Sequence, residues 1–235
     1  MNEDNLSKRL TLVAEQIPSG SRLADIGSDH AYLPCFALRR GLVSSAIAGE
    51  VNEGPFQSAV EQVKKLNYED KIYVKKGNGL EVISAGEVDV ITIAGMGGPL
   101  IASILNNGKD KLEGVKRLVL QPNVAANQIR VWLEANDWLL INELILEEDG
   151  IIYEILVAER TGPNPYHEQD YQTELLLGPF LMKEKNDAFK KKWTNEVGEW
   201  KKILSQFEKA KQTEEVLIKK QDLIERITRV EEVIQ

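Results

Sequence analysis

The 235-residue chain has one cysteine and two histidines. A disulfide framework is excluded, and no Cys/His zinc site can be assembled from so few ligands. Cys35 sits in an apolar, helix-like segment and reads as a core thiol. No apolar run approaches the roughly 18 residues that a membrane span needs. The N-terminus is polar and acidic, without the pattern of a signal peptide. A cytoplasmic protein without membrane or metal partners is expected. Positive charge is also short. Net charge is −8, and it is unevenly placed. Residues 1–159 carry 15 Lys and Arg against 23 Asp and Glu, whereas residues 160–235 carry 14 against 14. Acidity of this kind weighs against broad nucleic-acid binding, although a local basic patch can outweigh the total.

What the chain does have is an ordered series of α/β units. Leu6, Leu10, Val13 and Ile17 recur at helical spacing and predict an opening amphipathic helix, with Lys8 and Arg9 on its other face. The stretch Leu23-Ala24-Asp25-Ile26-Gly27-Ser28-Asp29-His30-Ala31 follows. An apolar run there ends in an acid, a glycine and a polar turn, with a helix-like segment beyond. This is the strand–turn–helix opening of a nucleotide-binding unit. Glu50 ends the next apolar run, 25 residues after Asp25, where an acid can accept hydrogen bonds from a ribose diol. Asp29 stands where a dinucleotide fingerprint needs its second glycine. A pyrophosphate wants bare N–H groups and no nearby anion, whereas a ligand with ammonium and sulfonium charges tolerates an acid. The loop therefore favours S-adenosylmethionine over NAD, with a ligand-free α/β turn as the plain alternative.

Further units predict strands over 71–75, 88–94 and 117–120. Gly77-Asn78-Gly79 follows the first of these. Asn78 suits the neighbourhood of an adenine amino group, or serves as an ordinary turn residue. Gly95-Met96-Gly97-Gly98 follows the second, where three glycines mean backbone packed close to a ligand or to another element. Gln121-Pro122-Asn123 follows the third and places rigid amides at a strand's carboxyl end. Residues 138–146 and 151–158 then alternate around Asp149-Gly150, a hairpin signal. The expected fold is a Rossmann-like class I methyltransferase sheet over residues 1–160, mostly parallel, with one antiparallel strand in the edge region.

Thr161-Gly162-Pro163-Asn164-Pro165 reads as a linker to a second domain, 161–235. A short helix is expected at 171–177. Trp193, Val197, Trp200, Leu204 and Phe207 form a coiled-coil seam, and Val216, Leu223, Ile227, Val230 and Ile234 form another. Together they predict an antiparallel helical hairpin started anew at Thr213-Glu214-Glu215. Lysine clusters at 190–192, 201–202 and 219–220 alternate with acids, as on a solvated face or an RNA contact. His167 reads as a surface histidine.

The motifs at 25–34, 77–80, 93–98 and 121–123 together resemble the bacterial tRNA (adenine-22-N1)-methyltransferases, and the resemblance covers the whole chain. It implies S-adenosylmethionine as methyl donor and a D-arm adenosine of tRNA as acceptor. The donor set implied is Asp25, Gly27, Ser28, Asp29, His30, Leu33, Glu50, Val51, Asn78, Gly79, Gly95, Met96 and Gly97. Asp29, Gln121 and Asn123 are the candidate catalytic residues. The chain lacks the Asn/Asp-Pro-Pro-aromatic turn by which amino-group methyltransferases hold an exocyclic amine, in keeping with a ring-nitrogen acceptor. The rival readings are an NAD(P)-dependent oxidoreductase on the same fold and a non-catalytic helical-hairpin interaction protein. The sequence leaves the oligomeric state open, with a monomer favoured.

Overall fold

The computed structural model describes residues 5–209 and 213–235. Helix α1 (Lys8–Glu15) is capped by Ser7, whose hydroxyl accepts from the Leu10 N–H at 3.2 Å. Five α/β units follow. Strands β1 (Ser21–Ile26), β2 (Val43–Glu50), β3 (Ile72–Lys76), β4 (Val90–Gly97) and β5 (Arg117–Val124) run parallel. Helices α2 (Tyr32–Arg39), α3 (Glu53–Lys65), α4 (Gly98–Asn107) and α5 (Ala126–Glu134) connect or follow them. Strands β6 (Leu139–Glu148) and β7 (Ile151–Glu159) complete a seven-stranded sheet of order β3-β2-β1-β4-β5-β7-β6, in which β7 pairs antiparallel with β5. Asp149 and Gly150 both take positive φ, 52° and 79°, as the predicted two-residue turn requires.

The central strands are apolar without alternation because both faces are covered. Leu23, Ala24, Ile91, Ile93, Leu118 and Leu120 are all buried. The order reverses beside β1, between β2 and β4, which is where a parallel sheet opens a crevice at its carboxyl ends. Two strands run further than the residue pattern suggests. β4 continues through its glycines and β5 through its proline, because Met96 still pairs with Pro122 and Gly97 with Val124, across register shifts. Gly98 is needed for packing, since a Cβ there would strike the Ala125 carbonyl.

Contacts divide the chain into two units. One holds the chain up to Leu144 together with Tyr153–Pro165, and the other holds Ile145–Ile152 with Tyr166–Gln235. The division thus falls at Pro165 rather than at residue 160, and the tip of the β6–β7 hairpin belongs to the second unit. The reason is apolar. Ile145 sits in one buried cluster with Leu177, Leu181, Phe189, Trp193, Val197, Ile227 and Val230. In that unit α6 (Tyr171–Leu177) and a single turn α7 (Leu181–Glu184) precede α8 (Asp187–Lys209) and α9 (Glu214–Ile234). Thr213 caps α9 through Val216 N–H. Several cluster lysines have acidic partners: Lys191 with Glu147, Lys201 with Glu231, Lys202 with Glu199 and Lys219 with Glu215, each at 2.6 Å. His167 is exposed, and its Nδ1 lies 2.7 Å from the buried Glu174 carboxylate.

Candidate active site

The loop leaving β1 is tied to the end of β2. Gly27 and Ser28 both donate their N–H to the Gly49 carbonyl, at 2.9 and 3.1 Å. The next N–H, of Asp29, donates to Glu50 Oε1 at 2.8 Å. Glu50 Oε2 accepts from the Val51 N–H at 3.1 Å. Gly27 takes a φ of +72°, which an L side chain rarely adopts, and the Met96 methyl packs where its Cβ would stand. Asp29 and Ala31 also adopt positive φ, 52° and 54°. Ala31 is held there by its N–H on the Ser28 carbonyl and by its own carbonyl accepting from Cys35. A left-handed alanine costs about 1–2 kcal/mol, so these bonds impose the turn against intrinsic preference.

Beneath the loop lies Asp25, which is 4% exposed. Its Oδ1 accepts from the Thr92 hydroxyl and its Oδ2 from the Ser28 hydroxyl, both at 2.6 Å. Burial pushes the carboxyl up to about 6, and the Glu50 charge adds to the rise. The two hydroxyl bonds oppose it without cancelling it.

These residues border a cavity of about 440 Å³, within the range of small-molecule sites. Asp25, Gly27, Ser28, Asp29, Leu33, Glu50, Val51, Gly95 and Met96, all in the implied donor set, line it. Arg9, Leu10, Tyr32, Asn52, Ala94 and Leu100 line it as well. Arg9 comes from α1, whose helical period places it correctly on the face away from the core but does not show what that face meets.

Other candidates fall elsewhere. Asn78 and Gly79 border a separate hollow of about 120 Å³ with Leu80, Glu81, Ile104, Asn107 and Gly108. Asn78 opens a short 3-10 turn there, and its N–H donates to Glu81. His30 does not line the cavity. Its ring stacks on Tyr32 at 5.1 Å between centroids and lies 3.7 Å from Asp29 Oδ1. Gly97 precedes α4 and also lies outside the lining.

The expectation that Gln121 and Asn123 present amides to the crevice needs correction. Gln121 is fully buried, and its Oε1 accepts from the Gly95 N–H at 3.0 Å and from Arg9 Nη1. Its Nε2 donates to the Pro122 carbonyl and, at 3.4 Å, to Asn123 Oδ1. Asn123 is exposed, yet its Nδ2 donates to the Gly95 carbonyl at 2.8 Å. The two amides clamp both polar groups of Gly95, whose φ is +80°. Gln121 spends both amide hydrogens and two acceptor bonds in this way, whereas the exposed Asn123 keeps a second N–H.

The loop geometry decides against a pyrophosphate. Three successive N–H groups that would cradle phosphate are spent on Gly49 and Glu50, and three carboxylates face the cavity. An acid-rich nucleoside site remains. A family model described as tRNA (adenine(22)-N(1))-methyltransferase matches residues 23–232. The chain belongs to this family. A Bacillus subtilis protein named tRNA (adenine(22)-N(1))-methyltransferase is 53% identical over 235 residues, covering 100% of this chain and 99% of its own. A crystal structure of the B. subtilis m1A22 tRNA methyltransferase superposes with a TM-score of 0.95 at 52% identity, over 98% of this chain and 99% of that one. A Streptococcus pneumoniae protein solved in complex with S-adenosyl-L-methionine is 43% identical, with a TM-score of 0.85 over 98% of this chain and 100% of its own. The Mycoplasma capricolum member, solved with S-adenosyl-homocysteine, is 26% identical, with a TM-score of 0.80 and 97% of each chain covered. The family match, over residues 23–232, includes residues of both units described above.

Proposed function

We propose that this chain transfers the methyl group of S-adenosylmethionine to N1 of the adenine at position 22 of tRNA, the reaction for which its family is named. The observation that carries this reading into the chain's own residues is the cavity lined by Asp25, Asp29 and Glu50 beside a loop whose N–H groups are already bonded. The donor is a nucleoside with a diol and two positive charges, and this set of residues fits both features.

Glu50 is 6% exposed, and each of its oxygens is oriented by one backbone N–H. A buried, fixed carboxylate of this kind holds a ribose diol. Val51 and Leu100, each 53% exposed at the cavity, offer apolar surface to a flat ring. Asp25 and Asp29 supply negative charge toward the ammonium and sulfonium. When bound, S-adenosylmethionine supplies an electrophilic methyl group on a positively charged sulfur.

Adenine N1 carries an in-plane lone pair, so alignment and exclusion of water do much of the work. N1 lies on the Watson–Crick edge, and the base must be unpaired or flipped out before it reacts. Positive charge then develops on the adenine. Asp29, at the cavity and on the loop, stabilises that charge or takes a proton from the exocyclic amine. Gln121 and Asn123 act at one remove, as positioning residues that fix Gly95. No described helix is long and apolar enough to cross a membrane, and no described acid, histidine or cysteine cluster could hold a metal. A tRNA substrate supports a cytoplasmic site of action.

The test is methyl transfer from labelled S-adenosylmethionine to bulk tRNA, followed by digestion to nucleosides. Label in N1-methyladenosine is expected. Label in N6-methyladenosine, or no transfer by folded protein that binds the donor, would contradict the reading.

A further inference from the structure

Strands β4 and β5 bulge side by side where they leave the sheet. Ala94 pairs with Gln121, Met96 with Pro122 and Gly97 with Val124, so the register skips Gly95 on β4 and Asn123 on β5. The two skipped residues are bonded to each other: Asn123 Nδ2 donates to the Gly95 carbonyl at 2.8 Å. A bulge turns a side chain out of the strand's alternation, and bulges gather beside active sites for that reason.

The Asn123 amide is fixed from several sides. Its backbone lies between Pro122 and Val124, both paired to β4. Its Oδ1 accepts from Gln121 Nε2 at 3.4 Å, while Gln121 Oε1 accepts from the Gly95 N–H at 3.0 Å. Asn123, Gln121 and Gly95 thus close a ring of hydrogen bonds, which takes one hydrogen of Asn123 Nδ2. The other has no acceptor among the described residues, and Asn123 is exposed. A neutral donor is therefore held one hydrogen bond away from Gly95 in the cavity wall.

The surface beside it suits a flat base. Val124 is 66% exposed and Leu100, in the cavity wall, is 53% exposed. A Cβ on Gly97 would lie 3.8 Å from both Pro99 and Val124, so the glycine leaves that patch flat. Along the order β2-β1-β4-β5, Glu50 and Asp25 take the donor's ribose and cationic end at β2 and β1. The β4–β5 end is left to the acceptor.

We propose that the second N–H of Asn123 donates to a ring nitrogen of the target adenine and so turns N1 toward the methyl group. This rests on the methyltransferase reading above. Adenine offers ring-nitrogen lone pairs at N1, N3 and N7. N1 has to stay free to attack, so the bond falls on N7 or N3. A carboxylate has no proton to donate there, and a cation would oppose the positive charge that develops on the base. A neutral amide meets both demands.

The experiment uses the full-length chain at saturating S-adenosylmethionine, so that any weakening of the donor site by release of Gly95 does not enter. The tRNA transcripts differ only in the target nucleoside: adenosine, 7-deazaadenosine or 3-deazaadenosine. Both analogues keep the N1 lone pair. Wild type should use at least one analogue with a kcat/KM about three- to ten-fold below that for adenosine, the scale of one neutral hydrogen bond. Asn123→Ala should lower kcat/KM on the adenosine transcript and use that analogue equally well, because the donor is gone. Asn123→Asp keeps the side-chain shape without either N–H, and it should lose the same preference.

Equal wild-type kcat/KM on all the transcripts would overturn the proposal without recourse to any variant, which covers variants that fail to fold. A wild-type preference that survives in Asn123→Ala or Asn123→Asp would overturn it as well, and would leave Asn123 as a support for Gly95 alone. Failure of the wild-type chain to methylate the adenosine transcript would instead contradict the underlying methyltransferase reading.

Discussion

Glu50 Oε1 accepts the backbone N–H of Asp29 at 2.8 Å, so the acid that ends β2 also fixes the loop that leaves β1. One side chain thereby sets both the ribose end of the cavity and the conformation of a residue with φ of 52°. Glu50→Ala should weaken S-adenosylmethionine binding by about 1.5–3 kcal/mol, the scale of hydrogen bonds to a charged group. Glu50→Gln should lose less, because its amide oxygen can still accept from Asp29. Calorimetric titration of the folded variants checks both, and unchanged affinity in the alanine variant would remove Glu50 from the ribose role.

Asp29 is a separate case, because its side chain is 64% exposed and forms no short bond to its neighbours in the loop. A group acting on charge that develops during reaction should affect turnover more than binding. Asp29→Ala should therefore lower kcat by about 10²-fold or more, the usual scale for a proton-transfer group, with a small change in tRNA affinity. Single-turnover kinetics at saturating donor and tRNA would show this. Turnover close to wild type would take the assignment away from Asp29.

Much of this site is legible in the sequence because it is local. Asp25, Gly27, Ser28, Asp29 and Glu50 belong to two successive strand ends, and their pattern places them together. Arg9 and Gln121 are 112 residues apart, and nothing in either segment signals the pairing. Gln121 and Asn123 are legible as strand-end amides. That they turn inward to Gly95 depends on β5 continuing through Pro122, which a proline would ordinarily argue against. The β6–β7 tip sides with the helical unit because Ile145 finds its apolar partners there, and strand periodicity carries no such information. The lysine clusters read as runs of charge, but their acidic partners lie up to 44 residues away.

Asp25 makes stability depend on pH. Its folded-state value, about 6, lies above the 3.8 of an unburied aspartate. Between those values the folded chain binds more protons than the unfolded chain, so stability falls as pH rises. The loss begins near pH 4 and is complete above about pH 6, on the order of 3 kcal/mol for a shift of this size. Donor affinity should move in the opposite sense, because a cationic ligand prefers the charged form and repays its burial. Urea unfolding of wild type and Asp25→Asn between pH 4 and 7 tests the first point, and the variant should lose this part of the slope. Parallel slopes would show that Asp25 titrates normally.

Arg130 on α5 is fully buried between Glu143 on β6 and Glu154 on β7, at 2.6 and 2.7 Å. Removing the cation leaves two carboxylates facing each other in the interior. Arg130→Met should destabilise the chain by about 3–5 kcal/mol, the range for a broken buried pair. The deficit should shrink as pH falls and the carboxyls take up protons. Chemical denaturation at pH 5 and pH 8 measures this, and a variant as stable as wild type at pH 8 would show that the cluster is dispensable.

The most direct measurement of the central claim uses two tRNA transcripts that differ only at position 22, one with adenosine and one with guanosine. Each is incubated with the full-length chain and labelled S-adenosylmethionine, and the modified nucleotide is identified and mapped. Label should enter only the adenosine transcript, as N1-methyladenosine at position 22. Label in both transcripts, label at another nucleotide, or donor binding with no transfer to either would contradict the account.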